Sequence, residues 1–129
     1  MQQPKVLIVD DDPHICDFVT WGLSDRGYRV VSASNGREAL DRVASIRPDA
    51  IVLDMRMPVM NGWEFARAYR ELPGPHAPIV IMTAYLDPEE VAREMGVQGC
   101  ISKPFNLITL VDILRKCAPG RGDTDRASL

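Results

Sequence analysis

The sequence has few cysteines, no long apolar run and no excess of positive charge, and each shortage argues against a class of protein. The cysteines, Cys16, Cys100 and Cys117, are odd in number and lack CxxC or Cys/His spacing, so neither a disulfide framework nor a cysteine metal site is expected. No apolar run approaches the ~18 residues of a membrane span, and the first residues lack the charged-then-apolar pattern of a signal peptide. A net charge of −3 provides no electrostatic footprint for nucleic acid. We therefore expect a cytoplasmic protein without direct contact to nucleic acid or membrane.

The chain is long enough for one domain and too short for two. Its 129 residues are 46% apolar, which is sufficient for one hydrophobic core. After residue 117 the sequence becomes polar and loses all periodicity. We predict a single domain over residues 1–117, followed at 118–129 by a disordered tail or a truncated linker.

Short apolar runs alternate with segments of helical periodicity. The runs are rich in Val and Ile and end in polar residues, as the buried strands of a parallel sheet do. Strands joined by helices and short links form right-handed βαβ units. We therefore predict an α/β fold: a single doubly wound, five-stranded parallel sheet in the flavodoxin-like order 2-1-3-4-5, with helices on both faces. The predicted strands are residues 5–9, 28–33, 51–54, 78–82 and 99–101.

Helix ends are marked by capping residues. Asn35 and Glu38 have the spacing of a reciprocal capping box, and Asn61 and Glu64 repeat it. Gly27 is predicted to end the first helix, because glycine readily adopts the left-handed conformation of a helix C-terminus.

Three carboxylates are predicted to meet at one edge of the sheet. Asp10 and Asp11 follow the first strand, and Asp54 ends the third. These strands are neighbours in the predicted order, so their carboxyl ends face one crevice, where open parallel sheets bind ligands. Because clustered carboxylates repel one another, a bound cation is expected there. Mg²⁺ is the natural candidate, since it binds carboxylates, waters and phosphate oxygens.

A hydroxyl and an ammonium group are predicted to reach the same crevice. Thr83 follows the fourth strand and Lys103 follows the fifth. Lys103 and the metal can neutralise the oxygens of a phosphoryl group, and Thr83 can donate a hydrogen bond to it. Asp54 can then attack phosphorus as a carboxylate nucleophile and form an aspartyl phosphate.

At these strand ends the sequence resembles the receiver domain of two-component response regulators, the CheY-like family. The resemblance extends over about residues 4–117. The four motifs are short, but they occur in order and each stands at the end of a strand. They are VLIVDDD at 6–12, LDMRMPVMNG at 53–62, MTA at 82–84 and SKPF at 102–105.

The resemblance implies a role for each site residue. Asp54 would be the phosphoacceptor, Asp11 a direct Mg²⁺ ligand, Asp10 a ligand through water, and the backbone carbonyl of Arg56 a further ligand. The domain would be a phosphoacceptor in signalling rather than an enzyme, with slow autodephosphorylation. A sensor histidine kinase or phosphotransfer protein would supply the phosphoryl group.

Two further implications concern the switch. Thr83 would be the switch hydroxyl and Lys103 the phosphate-pairing lysine, with a cis peptide bond between Lys103 and Pro104. Receivers usually have Tyr or Phe three residues before that lysine, whereas this chain has Cys100. A thiol is too small to fill the space behind a displaced Thr83, so we expect Tyr85 to move there instead and remodel the surface of residues 84–101. An output protein or a second copy of the domain would bind that surface.

The first helix is the predicted docking site for the kinase. If its apolar positions face the sheet, His14 and Trp21 point away from it and Phe18 lies at the margin. Slow hydrolysis is also expected, because the side chains of Arg56 and Tyr85 could flank the path of an attacking water.

Two other functions are consistent with some of these residues. A pseudo-receiver that is never phosphorylated would act only through its surfaces. A haloacid-dehalogenase-like phosphatase also has an Asp-rich motif after its first strand, but it needs an acidic pair after the lysine. Here Lys103 is followed by Pro104 and Phe105. The chain is either a stand-alone regulator or the receiver of a longer protein.

Overall fold

The computed structural model describes residues 3–84 and 87–117. The predictions for Tyr85 and for residues 118–129 therefore lie outside the described residues. The elements alternate along the chain as β1 (Lys5–Val9), α1 (Pro13–Ser24), β2 (Arg29–Ala33), α2 (Gly36–Ile46), β3 (Ala50–Asp54), α3 (Gly62–Glu71), β4 (Ile79–Thr83), α4 (Pro88–Met95), β5 (Gly99–Ser102) and α5 (Leu107–Cys117).

The five strands form one parallel sheet in the order β2-β1-β3-β4-β5, which confirms the predicted fold class. β1 pairs with both β2 and β3, and Val9 lies opposite Leu53. β3 and β4 are buried along their whole length because helices cover both sides of the sheet. The neighbouring strands β1 and β3 therefore end side by side at the same edge.

Each face of the sheet has its own hydrophobic core. Helices α2, α3 and α4 pack on one face, where Phe65 is fully buried. Helices α1 and α5 pack on the other, where Leu23 is fully buried. Burying a side chain of this size contributes roughly 1.5–3 kcal/mol. Within the described ranges, no helix has both the length and the apolar character needed to span a bilayer.

The predicted capping box is complete at α3 and incomplete at α2. Asn61 and Glu64 exchange side-chain and backbone hydrogen bonds in both directions, as predicted. At α2, the Asn35 side chain accepts from the backbone N–H of Glu38, but the Glu38 carboxylate accepts from the backbone N–H of Ser34 at 2.6 Å. The prediction for α2 was therefore half wrong, because Glu38 binds one residue further back.

Two helices end differently from the sequence pattern. Helix α1 ends at Ser24, three residues before Gly27, and Gly27 adopts a φ of 91° in the following turn. Helix α2 ends at Ile46, and its C-cap residue Arg47 is left-handed with a φ of 52° although it is not glycine. The Arg47 backbone N–H donates to the Val43 carbonyl, which satisfies the last turn of the helix.

Candidate functional site

The three predicted acids converge where β1 and β3 end. Carboxylate oxygens of Asp10, Asp11 and Asp54 all lie within 4.8 Å of one another. Asp10 and Asp54 are only 1% and 6% exposed, whereas Asp11 faces solvent. The paired ends of β1 and β3 bring these residues together from distant parts of the chain. The cluster is thus a pair of buried carboxylates with a third carboxylate at its mouth.

Lys103 bridges the two buried carboxylates. Its ammonium donates to Asp10 Oδ2 at 3.0 Å and lies 3.1 Å from Asp54 Oδ1. Parallel pairing of β4 and β5 places Thr83 opposite Ser102, and the Lys103 backbone N–H donates to the Thr83 carbonyl at 2.8 Å. The Lys103–Pro104 bond is cis, as predicted. The pairing of β4 and β5 therefore holds Lys103 next to the acid cluster.

Burial and the ion pair act in opposite directions on these groups. Burial raises the pKa of Asp54, and the hydrogen bond from Lys103 lowers it only in part, so the net pKa lies above its ordinary value. Burial alone lowers the pKa of Lys103, but its bonds to Asp10 and Asp54 outweigh burial and raise the pKa overall. Lys103 is therefore a protonated ammonium group at neutral pH, and it lies beside a carboxylate that is shielded from solvent.

Thr83 stands beside Asp54 on the adjacent strand. Asp54 lies opposite Met82 in the β3–β4 pair, so Thr83 is one residue further along. It is the last residue of β4 and is buried. The structure thus brings Thr83 to the same edge of the sheet as the acids and Lys103.

The loop after β1 is fixed by several short contacts. Asp10 donates its backbone N–H to the Ala33 carbonyl, and its Oδ1 accepts from the Asp12 backbone N–H at 2.9 Å. The Cys16 thiol donates to the Asp10 carbonyl at 3.3 Å. Burial and the surrounding acids raise the pKa of Cys16 to about 11, so this thiol stays protonated near neutral pH. The sequence alone did not indicate that Cys16 supports Asp10.

The loop between β3 and α3 forms the other wall of the site. A shallow groove of about 490 Å³ begins at Asp11 and continues along Arg56, Pro58 and Trp63. Gly62 packs so closely on β3 that a Cβ there would lie 2.7 Å from the Asp54 carbonyl oxygen. The sequence analysis did not identify Trp63 as part of this wall, nor the close packing of Gly62 against β3. A glycine directly after a helix cap was the available signal for that close packing.

The predicted docking residues lie on the exposed face of α1. Trp21 is 70% exposed and Phe18 is 42% exposed, and His14 is also at the surface. The Phe18 ring packs against Phe105, with centroids 6.2 Å apart, a contact that the sequence did not reveal. The structure agrees with the predicted orientation of all three residues.

Of the two predicted switch positions, the structure describes one. Cys100 is half-buried in β5 and packs against the core below α4. Tyr85 lies outside the described residues. The prediction that links the two remains a prediction.

The acid cluster fits a hard divalent cation. Carboxylate oxygens are the ligands that Mg²⁺ prefers, and the exposed side of Asp11 leaves room for the waters that Mg²⁺ retains. Arg56 lines the same groove as Asp11, and the role of its carbonyl as a further ligand stays a prediction. The donor set is therefore compatible with the metal that the sequence predicted.

Comparison with known proteins identifies the family. The family model of the response regulator receiver domain matches residues 6–115. Response regulator MprA of Mycolicibacterium vanbaalenii is 37% identical over 97% of this chain, and the chain spans only 56% of that protein. Sporulation initiation phosphotransferase F of Bacillus subtilis is 35% identical over 92% of this chain and 97% of its own length.

Solved structures agree with this result. The chemotaxis response regulator CheY4 of Vibrio cholerae is 39% identical and superimposes with a TM-score of 0.83, covering 90% of this chain and 99% of that one. A response regulator from Chloroflexus aurantiacus is 27% identical, with a TM-score of 0.85 and coverage of 92% and 100%. This chain belongs to the family of response regulator receiver domains.

Proposed function

We propose that this domain accepts a phosphoryl group on Asp54 from a histidine-phosphorylated protein, in a reaction that depends on Mg²⁺. Members of the family are phosphoacceptor signalling domains rather than conventional enzymes. The observation that carries the proposal is the position of Asp54: it is buried, it pairs with Lys103 at 3.1 Å, and it lies within 4.8 Å of Asp10 and Asp11. One nucleophile, one ammonium group and two further acids thus occupy a single crevice.

The chemistry assigns one task to each residue. A carboxylate oxygen of Asp54 attacks phosphorus, the N–P bond of the donor phosphohistidine breaks, and its electron pair returns to the imidazole nitrogen. The Lys103 ammonium, which pairs with Asp54 before transfer, then pairs with a phosphoryl oxygen. The Thr83 hydroxyl donates a hydrogen bond to another phosphoryl oxygen. Asp10, Asp11, Asp54 and the Arg56 carbonyl would hold Mg²⁺, which supplies positive charge to the phosphoryl oxygens when bound.

The phosphorylated form is proposed to hydrolyse slowly. Arg56 lines the groove beside Asp11 and has a long side chain, which can obstruct a water approaching phosphorus. Tyr85 is proposed to act in the same way from the loop after β4. The double variant Arg56→Asn, Tyr85→Glu is therefore expected to lose its phosphoryl group faster than the wild type, measured as the decay of labelled protein after removal of the donor.

Two surfaces are proposed to contact other proteins. The face of α1 with His14, Phe18 and Trp21 is the proposed docking site for a sensor histidine kinase or phosphotransfer protein. Trp21 and Phe18 together leave apolar surface exposed on α1, and contiguous exposed apolar surface is typical of protein interaction sites. The surface of residues 84–101, with Cys100 and Tyr85, is the proposed output surface. An output protein or a second phosphorylated copy of the domain would bind it.

Labelling with a small phosphodonor tests the proposed function. The wild-type domain, Asp54→Asn and Asp12→Asn are each incubated with acetyl phosphate and MgCl₂. Asp12 is a suitable control because it belongs to the same acidic motif but only caps α1. Wild type and Asp12→Asn should gain one phosphoryl group that is labile in both acid and base, as an acyl phosphate is, and Asp54→Asn should gain none.

The alternatives give other results. A pseudo-receiver would take up no phosphoryl group in any of the three proteins. A haloacid-dehalogenase-like phosphatase would be labelled on Asp10 and would release inorganic phosphate over many turnovers. Either result would contradict the proposal.

A further inference from the structure

The connection between β2 and α2 touches both loops that carry the predicted metal ligands. This junction, residues 33–36, follows a strand at the edge of the sheet, and its residues are not among the three clustered acids. At one end, the Ala33 carbonyl accepts a hydrogen bond from the backbone N–H of Asp10 at 3.1 Å. At the other end, the Gly36 N–H donates to the Met60 carbonyl, also at 3.1 Å. The junction therefore joins the loop after β1 to the loop after β3.

Strand order alone would not bring the junction to the second loop. β2 pairs with β1 and is separated from β3 by β1. Helix α2 nevertheless packs on the same face of the sheet as α3, so its first residue meets the loop that leads into α3. A Cβ at Gly36 would lie 2.7 Å from the Met60 carbonyl oxygen and 2.8 Å from Met60 Cγ. Only glycine permits this close approach without a shift of the loop.

Side-chain hydrogen bonds hold the junction itself in one conformation. The Asn35 side chain accepts from the Glu38 N–H at 2.8 Å, and the Glu38 carboxylate accepts from the Ser34 N–H at 2.6 Å. In a reciprocal capping box the glutamate would instead bind the backbone N–H of Asn35. Glu38 thus fixes the backbone of Ser34, between the contacts that the junction makes with the two loops.

The two loops and the strand ends beside them carry all the predicted metal ligands. Asp10 and Asp11 follow β1, and β3 ends at Asp54, two residues before Arg56. These groups can bind one Mg²⁺ together only while the loops keep a fixed separation, since this ion demands near-octahedral geometry with ligand distances of about 2.0–2.1 Å. Because the junction bonds to the backbone of both loops, it is placed to fix that separation.

We propose that the β2–α2 junction is a positioning element for the metal site, and that Gly36 and Glu38 set the Mg²⁺ affinity without touching the ion. The inference rests on the proposed function, because it takes Mg²⁺ to be bound by the acid cluster. Gly36 acts by letting α2 approach the Met60 carbonyl, and Glu38 acts by holding the backbone of Ser34. Neither residue is a ligand, so both are positioning residues.

Four substitutions test the junction. Gly36→Ala forces the loop away from α2, and Glu38→Ala removes the bond to Ser34. Glu38→Gln removes the negative charge but retains an oxygen that can accept this bond. Asp41→Ala is the matched control, because it removes an exposed carboxylate one turn further along α2, where that carboxylate pairs with Arg37.

The Mg²⁺ dissociation constant of each variant is measured by fluorescence titration in a Trp21→Phe background, at constant ionic strength. Trp63, which lines the groove beside Asp11, is then the only tryptophan. Labelling by acetyl phosphate is followed over the same range of MgCl₂ concentrations. Urea unfolding without Mg²⁺ reports the folded fraction of each variant.

The proposal predicts that Gly36→Ala and Glu38→Ala raise the Mg²⁺ dissociation constant about three- to tenfold. Glu38→Gln and Asp41→Ala should stay within about twofold of the wild type, because exposed charges at this distance contribute little. The Mg²⁺ concentration for half-maximal labelling should rise by the same factor as the dissociation constant. The labelling rate at saturating Mg²⁺ should change by less than about twofold, since binding and not chemistry is affected.

Several results would overturn the proposal. One is an unchanged dissociation constant in either alanine variant of the junction that folds. Another is an equal loss of affinity in Glu38→Ala and Glu38→Gln, because charge rather than the bond to Ser34 would then be responsible. A third is a loss confined to the labelling rate at saturating Mg²⁺. If Gly36→Ala does not fold, the comparison of the Glu38 variants with Asp41→Ala decides.

Failure of the proposed function has a separate signature. If the wild type binds Mg²⁺ but acetyl phosphate does not label Asp54, the proposed function fails, and the dissociation constants still decide the role of the junction. If the wild type binds no Mg²⁺, the metal assignment fails and the inference about the junction fails with it.

Discussion

Replacing Lys103 with methionine tests how the charges of the site are balanced. The Lys103 ammonium lies 3.0 Å from Asp10 and 3.1 Å from Asp54, two carboxylates that are almost fully buried. Methionine has a similar length and no charge, so the variant leaves two buried acids without their cation. Loss of one partner from a buried ion pair costs about 3–5 kcal/mol. Because the Lys103 side chain is 22% exposed, we expect a loss of about 2–3 kcal/mol in the free energy of unfolding at pH 7.5.

The loss should depend on pH in a defined direction. Burial already raises the pKa of Asp54, and removal of the ammonium that lowers it raises the pKa further. An acid with a raised pKa in the folded state destabilises the fold above its unfolded pKa of about 3.9, and this penalty disappears as the carboxyl becomes protonated. The difference between variant and wild type should therefore be largest at neutral pH and shrink as the pH falls toward about 4.

Urea unfolding followed by circular dichroism measures both effects. The control is Lys116→Met, which removes an exposed lysine from α5 and should change stability by less than about 0.5 kcal/mol. Addition of MgCl₂ should restore more stability to the Lys103→Met variant than to the wild type, because a bound cation replaces the missing charge. If Lys103→Met and Lys116→Met unfold at the same urea concentration at every pH, the assigned charge balance is wrong.

Three further predictions follow from other parts of the structure. Trp21→Asp should slow transfer from a phosphotransfer domain without changing the rate of labelling by acetyl phosphate. Phe18→Asp should do the same and should also lower stability somewhat, because Phe18 packs on another ring. Equal transfer rates for variant and wild type would argue against docking on α1. Gly62→Ala should lower the free energy of unfolding by about 1–3 kcal/mol in urea titrations, because its Cβ would collide with the end of β3, and wild-type stability would show that the loop can yield. Cys16 has a pKa of about 11, so iodoacetamide should alkylate it at pH 8 about 100-fold more slowly than free cysteine; a comparable rate would mean that the thiol is neither buried nor bonded.

The fold could be predicted because its signals are local and agree with one another. Each strand is a short apolar run, and each is followed by a helix, so the parallel sheet and its order follow from general rules of chain connection. Four site residues could be placed together because each of them ends a strand of that sheet or directly follows one: Asp10, Asp54, Thr83 and Lys103. The position of a residue at the end of a strand was the decisive information for the site.

The features that escaped prediction depend on tertiary contacts. Glu38 has the right spacing for a capping box, but its carboxylate accepts a hydrogen bond from the neighbouring Ser34 backbone N–H instead. Arg47 adopts a left-handed conformation that its sequence does not signal. The thiol of Cys16 and the backbone of Gly62 approach the site from elements whose packing is known only once the sheet is assembled. Spacing along the chain contains no information about such contacts.

Chemical trapping of the phosphorylated residue tests the central claim most directly. Borohydride reduces an aspartyl phosphate to homoserine, and peptide mass spectrometry then locates the reduced residue. After incubation with acetyl phosphate and MgCl₂, we predict homoserine at the position of Asp54 and unmodified aspartate at Asp10, Asp11 and Asp12. Homoserine at the position of Asp10, or phosphorylation that borohydride does not convert, would contradict the assignment of Asp54 as the phosphoacceptor.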